Sequence, residues 1–581
     1  MSFPHPLARL LAALTTGLLL LLPASAPAEP LRLTISRQDV TIDGRVASRI
    51  VVNGQLPGPV LRLREGNTAE IAVTNHLDVP SSIHWHGLIL PGEMDGVPGL
   101  NGFRGIPPGQ TFTYRFPLRQ AGTYWYHAHS QLQEQDGLYG ALVITPRADE
   151  GAHHADHAGH AGHAGHAGHA GDLAATSPDP ADRDYVLLLS EFHPDRAETI
   201  LHKLKSIPGY YNQGRRTLAG LPAQARRDGW RAALADRLAW GRMRMDPTDL
   251  ADVSGYTFLV NGRSPDAGWT GLFAPGERVR LRVINASAMS FLDFRIPGLR
   301  LEVVAADGRD VQPVVVDEFR IGPAETYDVI VTPGDAEAYS IVAEPPDRDG
   351  FALATLATRE GLRGPAPVPR PRAELSLGDM GMSHDGMDHG AMDHGGMSMD
   401  MSAPSASTTG WADAGTPPGQ RALRYEDLAS LHPQPDQRAP ARDIIIRLTG
   451  DMERYRWTLD GQAGHQAAPY RLREGERVRL TFVNETMMAH PMHLHGMFVQ
   501  LENGRAPADL PDKHTLIVPP GRSVSALLSA SEPGEWALHC HLLYHMASGM
   551  MGTVTVARAG PETSATPPAH DMPEGHHHGH H

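Results

Sequence analysis

Gly66-Asn67-Thr68-Ala69-Glu70-Ile71-Ala72-Val73-Thr74-Asn75 returns twice further along the chain. The second copy is Gly276-Glu277-Arg278-Val279-Arg280-Leu281-Arg282-Val283-Ile284-Asn285 and the third is Gly475-Glu476-Arg477-Val478-Arg479-Leu480-Thr481-Phe482-Val483-Asn484. Each alternates polar and apolar residues, as a half-buried strand does, and each ends in Asn. Upstream of the copies lie Asn53-Gly54, Asn261-Gly262 and Asp460-Gly461, dipeptides that favour tight hairpin turns. Downstream, Gly140 to Thr145, Tyr327 to Thr332 and Gly552 to Val556 read as closing strands. Three copies about 200 residues apart predict an all-β chain of three homologous Greek-key β-sandwich domains. A length of 581 residues fits several domains, and 60 Gly with 49 Pro supply many turns.

The third copy is followed by His539-Cys540-His541-Leu542-Leu543-Tyr544-His545 and then Met550. Cys540 is the chain's single cysteine, so it has no internal disulfide partner. Thiolate, imidazole and thioether together form the ligand set of a blue-copper electron-transfer site. Successive side chains of a strand point to opposite faces, so His539 and His541 would face away from Cys540. One strand could then serve two metal sites. Further H-x-H pairs stand at His84-Trp85-His86, His127-Ala128-His129 and His493-Leu494-His495, the last preceded by His490. With His539 and His541 these pairs supply eight imidazoles, which suit three copper ions with open positions for oxygen. His490, Cys540, His545 and Met550 remain for a separate mononuclear site. Zinc sites and chance are the plainer alternative in a chain of 33 histidines, but four such pairs beside H-C-H-x3-H-x4-M favour copper.

These motifs, in this order, resemble those of the multicopper oxidases. Arg242 to Asp249, Tyr256 to Gly262 and a Met/His/Asp run look closer still to the periplasmic copper-resistance protein A subgroup of that family. The resemblance spans about residues 30 to 557 and implies cupredoxin domains holding four copper ions. It implies a type 1 copper on His490, Cys540, His545 and Met550, and a type 2 copper on His84 and His493. It implies a type 3 pair on His86, His127, His129, His495, His539 and His541. Ligands fall only in the first and third domains, so the cluster belongs at their interface and the middle copy is left as scaffold. Electrons would pass singly through Cys540, while dioxygen takes four. Asp95 matches the family's carboxylate near the type 2 copper and is assigned as proton relay; Asp95-Gly96 is also ordinary turn chemistry. The position after His545, acidic in some cuprous oxidases, is Met546.

Residues 1–28 resemble a cleaved signal peptide: Arg9, an apolar run from Leu10 to Leu22, and Ala26-Pro27-Ala28. The run is too short to span a bilayer, so a periplasmic protein without a stable membrane anchor is expected. A formal charge of −15 argues against nucleic acid as a partner. The domain boundaries expected are 29–148, 183–360 and 441–558 for the sandwiches. A His-rich linker covers 149–182, a Pro-rich and then Met/His/Asp-rich linker 361–440, and a His-rich tail 559–581. The second linker carries Met380, Met382, His384, Met387, His389, Met392, His394, Met397, Met399 and Met401. It reads either as solvated linker or as a copper-capturing tract, the latter favoured because thioethers select Cu(I). The His tracts read the same way, as plain linker or low-affinity metal buffer.

A helical insertion is expected over about 195–250, with a helix from Pro222 to Met245 striped by Trp230, Leu234, Leu238 and Trp240. It either packs on the middle domain or covers the type 1 site, with Met243 and Met245 as cuprous-ion contacts. The function expected is a monomeric cuprous oxidase of copper resistance, supplied by periplasmic copper carriers and reducing O2 to water. A laccase-like phenol oxidase, taking a phenolic reductant, and a copper-sequestering protein with incidental oxidase activity remain open.

Overall fold

The computed structural model describes residues 31–147, 181–212, 214–243, 246–379 and 415–558. The signal peptide, the His-Ala-Gly tract, the run from Met380 to Met401, Met245 and the His-rich tail lie outside the described residues. Strands form six sheets that pair into three sandwiches: four on four strands, six on five, and six on five.

The three copies of the repeat occupy one structural position. Thr68–Asn75, Val279–Asn285 and Arg477–Asn484 are strands, each central in its sheet. Each pairs in parallel with the strand that opens its domain: Leu31–Ile42, Arg183–Phe192 and Arg442–Asp451. Each pairs antiparallel on its other side with Thr111–Pro117, Thr326–Val331 and Ser523–Ser529 respectively. The terminal asparagines explain why the repeat ends as it does. Asn75, Asn285 and Asn484 are wholly buried. Their Nδ2 groups donate to one main-chain carbonyl of the following loop, Val79, Ser290 or Met488, and to one more distant in sequence, Ile106, Ile321 or Val518. Their Oδ1 atoms accept the amide two residues on, Leu77, Ser287 and Thr486. Burying both polar atoms of each side chain this way is favourable only because both are satisfied, so the side chain ties the exit loop of each strand to a neighbouring segment.

The hairpin dipeptides behave alike. Asn53, Asn261 and Asp460 have φ near 50°, each followed by a positive-φ glycine, the twist that matches flanking strands. Two closing strands lie where expected, at Tyr139–Thr145 and Met551–Ala557. The middle one differs. Thr326–Val331 is the antiparallel neighbour of the repeat strand, and the true closing strand is Ala352–Ala357, which pairs in parallel with Thr270–Leu272. All six residues of Thr326–Val331 are buried, which leaves no alternation to betray the sheet it joins.

The insertion contains helices Ala197–Ser206, Leu221–Asp228 and Trp230–Met243. The single helix expected across 222–245 is broken at Gly229, whose φ is +84°. The expected apolar stripe also needs correction. Trp230, Leu234 and Leu238 are exposed, whereas Trp240 is buried with Ala233 and Ala239. At 3.6 residues per turn Trp240 and Leu238 point to nearly opposite sides of the helix, so those four residues never shared one face. The buried face is pinned by Asp236, which accepts Trp240 Nε1, Gln224 Nε2 and Arg216 Nη1. Met243 packs partly buried against the core that joins the middle and third sandwiches. The described flanks of the 361–440 stretch also pack. Leu375, Leu377 and Leu428 are buried, and Arg370 pairs with Glu318 at 2.6 Å. No helix among the described residues is long and apolar enough to cross a membrane.

Candidate metal centre

Strand Gly534–Cys540 lies between Met551–Ala557 and His490–Leu494, with Met492 opposite Cys540 and His493 opposite His539. On one side, Cys540 Sγ sits 3.5 Å from His490 Nδ1 and 3.8 Å from His545 Nδ1, with those two nitrogens 3.2 Å apart. Met550 is wholly buried and its carbonyl accepts the Cys540 amide at 3.1 Å. On the other side, His539 and His541 enter a chamber of imidazoles shared with the first sandwich.

That chamber sorts into groups. His86, His127 and His541 form a triangle with ring centres 5.0 to 5.6 Å apart. His129, His495 and His539 form a second, with centres 5.1 to 5.2 Å apart. His84 and His493 have ring centres 5.8 Å apart, and each stacks at 3.8 Å on a ring of these triangles, His84 on His495 and His493 on His86. The first sandwich provides four of these rings through His84–His86, the end of Gly122–His127 and the residues just beyond, and the third sandwich provides the other four.

Several ring nitrogens point at one another: His539 Nε2 lies 3.0 Å from His495 Nε2 and 3.3 Å from His129 Nε2. His84 Nε2, His86 Nδ1, His127 Nε2, His493 Nε2 and both nitrogens of His541 are buried without a hydrogen-bond partner. Buried polar atoms are ordinarily satisfied, so lone pairs converging in this way fit a Lewis acid. Donor atoms lie close enough to share an ion in His490, Cys540 and His545 and, within the chamber, in His84, His86 and His127, in His84, His493 and His495, and in His129, His495 and His539.

Electrostatics agrees with that fit. Burial, reinforced by neighbouring imidazoles, pushes His86, His127, His129, His493, His495 and His541 well below the usual histidine range. His539 is brought down to about 4, again chiefly by burial. Burial and His545 lower His490 as well. A neutral imidazole keeps the lone pair that a metal needs. Burial pushes the Cys540 thiol up, so a thiolate there requires a cation beside it.

The outward-facing nitrogens are held by the protein, as metal-binding histidines generally are. Thr486 Oγ1 meets His490 Nε2 at 2.7 Å, and the same hydroxyl donates to Asn484, the last residue of the third repeat. Asp252 Oδ2 meets His545 Nε2 at 2.7 Å and also accepts the Tyr455 hydroxyl. Trp457 stacks on the His545 ring at 3.8 Å. Glu134 Oε2 lies 2.6 Å from His127 Nδ1. The His514 carbonyl accepts from His493 Nδ1 at 2.7 Å. Asp95 is both turn and partner: its carbonyl accepts from His84 Nδ1 at 2.8 Å, and its Oδ2 lies 2.8 Å from His495 Nδ1. Glycine is required next to it, since a Cβ on Gly96 would stand 1.9 Å from the Ile83 carbonyl oxygen.

Thr486, Glu134, Asp252 and His514 escaped the sequence reading. Thr486 had a signal, two residues past the repeat's asparagine. The other three are lone residues with no spacing to mark them.

Profiles of the multicopper oxidase family match residues 34–149, 234–361 and 437–560. The chain is similar to Copper resistance protein A of Escherichia coli, with 43% identity over 90% of this chain and 92% of the relative. It is also similar to the Copper resistance protein A homolog of Pseudomonas syringae pv. tomato, with 42% identity and the same coverage. The fold resembles the solved laccase of Botrytis aclada, with a TM-score of 0.61 and 20% identity over 90% of this chain and 87% of that one.

Proposed function

The chain belongs to the multicopper oxidase family, and from that premise we propose that it is a periplasmic cuprous oxidase of copper homeostasis. It would couple one-electron oxidation of Cu(I) to four-electron reduction of dioxygen to water. The observation that carries this reading is the division of the donors into a thiolate trio and an all-imidazole chamber on opposite sides of one strand.

We assign His490, Cys540 and His545, with Met550, to a type 1 copper. His84 and His493 are assigned to a type 2 copper, and His86, His127, His129, His495, His539 and His541 to a type 3 pair. When bound, the four ions would supply a one-electron relay and a site for dioxygen reduction. The chain's own residues prepare for that chemistry. Thr486 and Asp252 fix the tautomers of His490 and His545, leaving each Nδ1 free to face Cys540. Trp457 and Tyr455 exclude water from the trio. Asp95 and Glu134 accept from the Nδ1 of His495 and His127, so that each Nε2 turns into the chamber. Asp95 also brings its Oδ1 within 3.3 Å of His84 Nδ1, and we assign its carboxylate to hold protons destined for reduced oxygen.

A groove of about 920 Å³ abuts the short helix Leu543–Ala547 that carries His545, and Met546 and Met551 line it. Two thioethers beside the electron-accepting histidine favour a soft monovalent cation over a phenol. The relatives named for copper resistance support the same donor. The test is steady-state oxygen uptake with Cu(I) and with phenolic donors on one preparation. A higher kcat/KM for Cu(I) is expected. Turnover of phenols with Cu(I) inert would make the protein a laccase, and copper binding without turnover of either would make it a sequestering protein.

A further inference from the structure

Asp307 lies in the turn between strands Leu301–Ala306 and Arg309–Val316 of the middle sandwich, the domain without assigned copper ligands. It is wholly buried, and one of its two carboxylate oxygens bonds outside its own domain. Oδ1 accepts the Thr326 amide at 3.0 Å. Oδ2 accepts the backbone amides of His514 and Thr515, both at 3.1 Å, and pairs with Lys513 Nζ at 3.1 Å. Lys513 is equally buried and is held from its other side by Glu325 at 2.7 Å. One carboxylate therefore grips three consecutive residues of the third sandwich.

Two of them, His514 and Thr515, touch rings from both sides of the chamber. The His514 carbonyl accepts from His493 Nδ1. His514 Nδ1 lies 3.3 Å from His86 Nε2, while Thr515 Oγ1 lies 3.5 Å from His86 Nε2 and 3.4 Å from His493 Nδ1. His86 comes from the first sandwich and His493 from the third. The turn that bears Asp307 also reaches the first sandwich directly. Gly308 O accepts the Tyr124 hydroxyl at 3.2 Å, on the strand that ends in His127. A Cβ on Gly308 would stand 2.4 Å from the Tyr124 ring, so the approach is as close as backbone permits.

We propose that Asp307 is a positioning residue for the dioxygen-reducing chamber, acting through Lys513, His514 and Thr515 to set His86 and His493 relative to each other across the domain interface. The middle sandwich is thus the gauge that registers the two halves of the site. This rests on the assignment of His86 and His493 as copper ligands.

The test compares the copper-loaded parent with Asp307→Asn and with Thr515→Val, a substitution of similar shape that removes only the hydroxyl. Electron paramagnetic resonance separates type 2 from type 1 copper, and absorption reads the blue band. Both variants should keep the type 1 signal and the blue band. Their type 2 spectrum should change, and turnover should fall about 10- to 100-fold with Cu(I) and phenolic donors alike. A parent-like type 2 spectrum and turnover in the variants would overturn the proposal. So would loss of the blue band in step with the type 2 signal, which marks general disruption. If Asp307→Asn does not fold, Thr515→Val decides alone. A parent with no type 2 signal would instead remove the ligand assignment, and the inference with it.

Discussion

Sulfur enters the assigned copper sites only at Cys540 and Met550, and Cys540 stands where the trio and the chamber meet. Cys540→Ser should therefore abolish the blue absorption and oxidase activity while the imidazole chamber still loads. Copper content and absorption on the purified variant check this. A variant that stays blue would refute the type 1 assignment, and one that loses all copper would mean that the sites do not load independently. The residues that make this prediction possible were legible as a sequence because H-x-H pairs and H-C-H-x3-H are written in contiguous runs. Their supports were not. Asp252 lies 293 residues from His545, and Asp95 lies 400 residues from His495, so no local spacing announces either pair. What the chain order hides is the tertiary half of each site.

Helix Trp230–Met243 shows where pattern reading fails at the scale of an element. Alternation located the repeat strands well because one face of each is core and the hairpin dipeptides set their register. The helix departs from the expected pattern because Trp230, Leu234 and Leu238 face out and its buried face is built from Ala233, Ala239 and Trp240 beside half-buried Asp236, a mixture that carries little periodic signal. The two readings predict opposite mutational outcomes. Trp240→Ala should cost roughly 3–5 kcal/mol, since it empties a buried aromatic site and leaves Asp236 without one of its donors. Leu238→Glu, on the exposed face, should stay within about 0.5 kcal/mol. Thermal unfolding of the two variants measures both. Comparable losses would restore the striped face expected from sequence. The middle closing strand was misplaced for a related reason: a fully buried strand reads the same from either sheet.

For the molecule as a whole, gathering so many neutral imidazoles into one interface ties stability to pH and to copper. Histidine in the unfolded chain titrates near 6.5, while the buried rings titrate lower. Above 6.5 both states are neutral and the term is silent. As pH falls below 6.5 the unfolded chain gains protons that the folded chain refuses, so stability drops until the folded rings titrate. His539, at about 4, would alone account for about 3 kcal/mol of that loss. The copper-free protein should thus lose thermal stability steeply between about pH 6.5 and 4, and copper should restore it; a flat profile would mean that the chamber opens to water without metal. The second whole-molecule question is how copper arrives. Residues 380–401 lie outside the described structure but carry the thioethers and imidazoles of the second linker. Deleting them spares every assigned ligand, and starting after Asp379 preserves the turn in which its carboxylate accepts the Ser376 amide and hydroxyl. The catalytic coppers should load normally. If the segment delivers Cu(I), its loss should lower kcat/KM for Cu(I) by about tenfold or more, because tethered donors raise the local concentration of a soft cation. A phenol needs no such donors, so its kcat/KM should hold or rise. A segment that only buffers copper gives a different result: unchanged turnover with both donors, but fewer copper ions bound per chain. Measuring both donors and the copper stoichiometry on parent and deletion separates the two, and an equal effect on both donors would exclude a role in delivery.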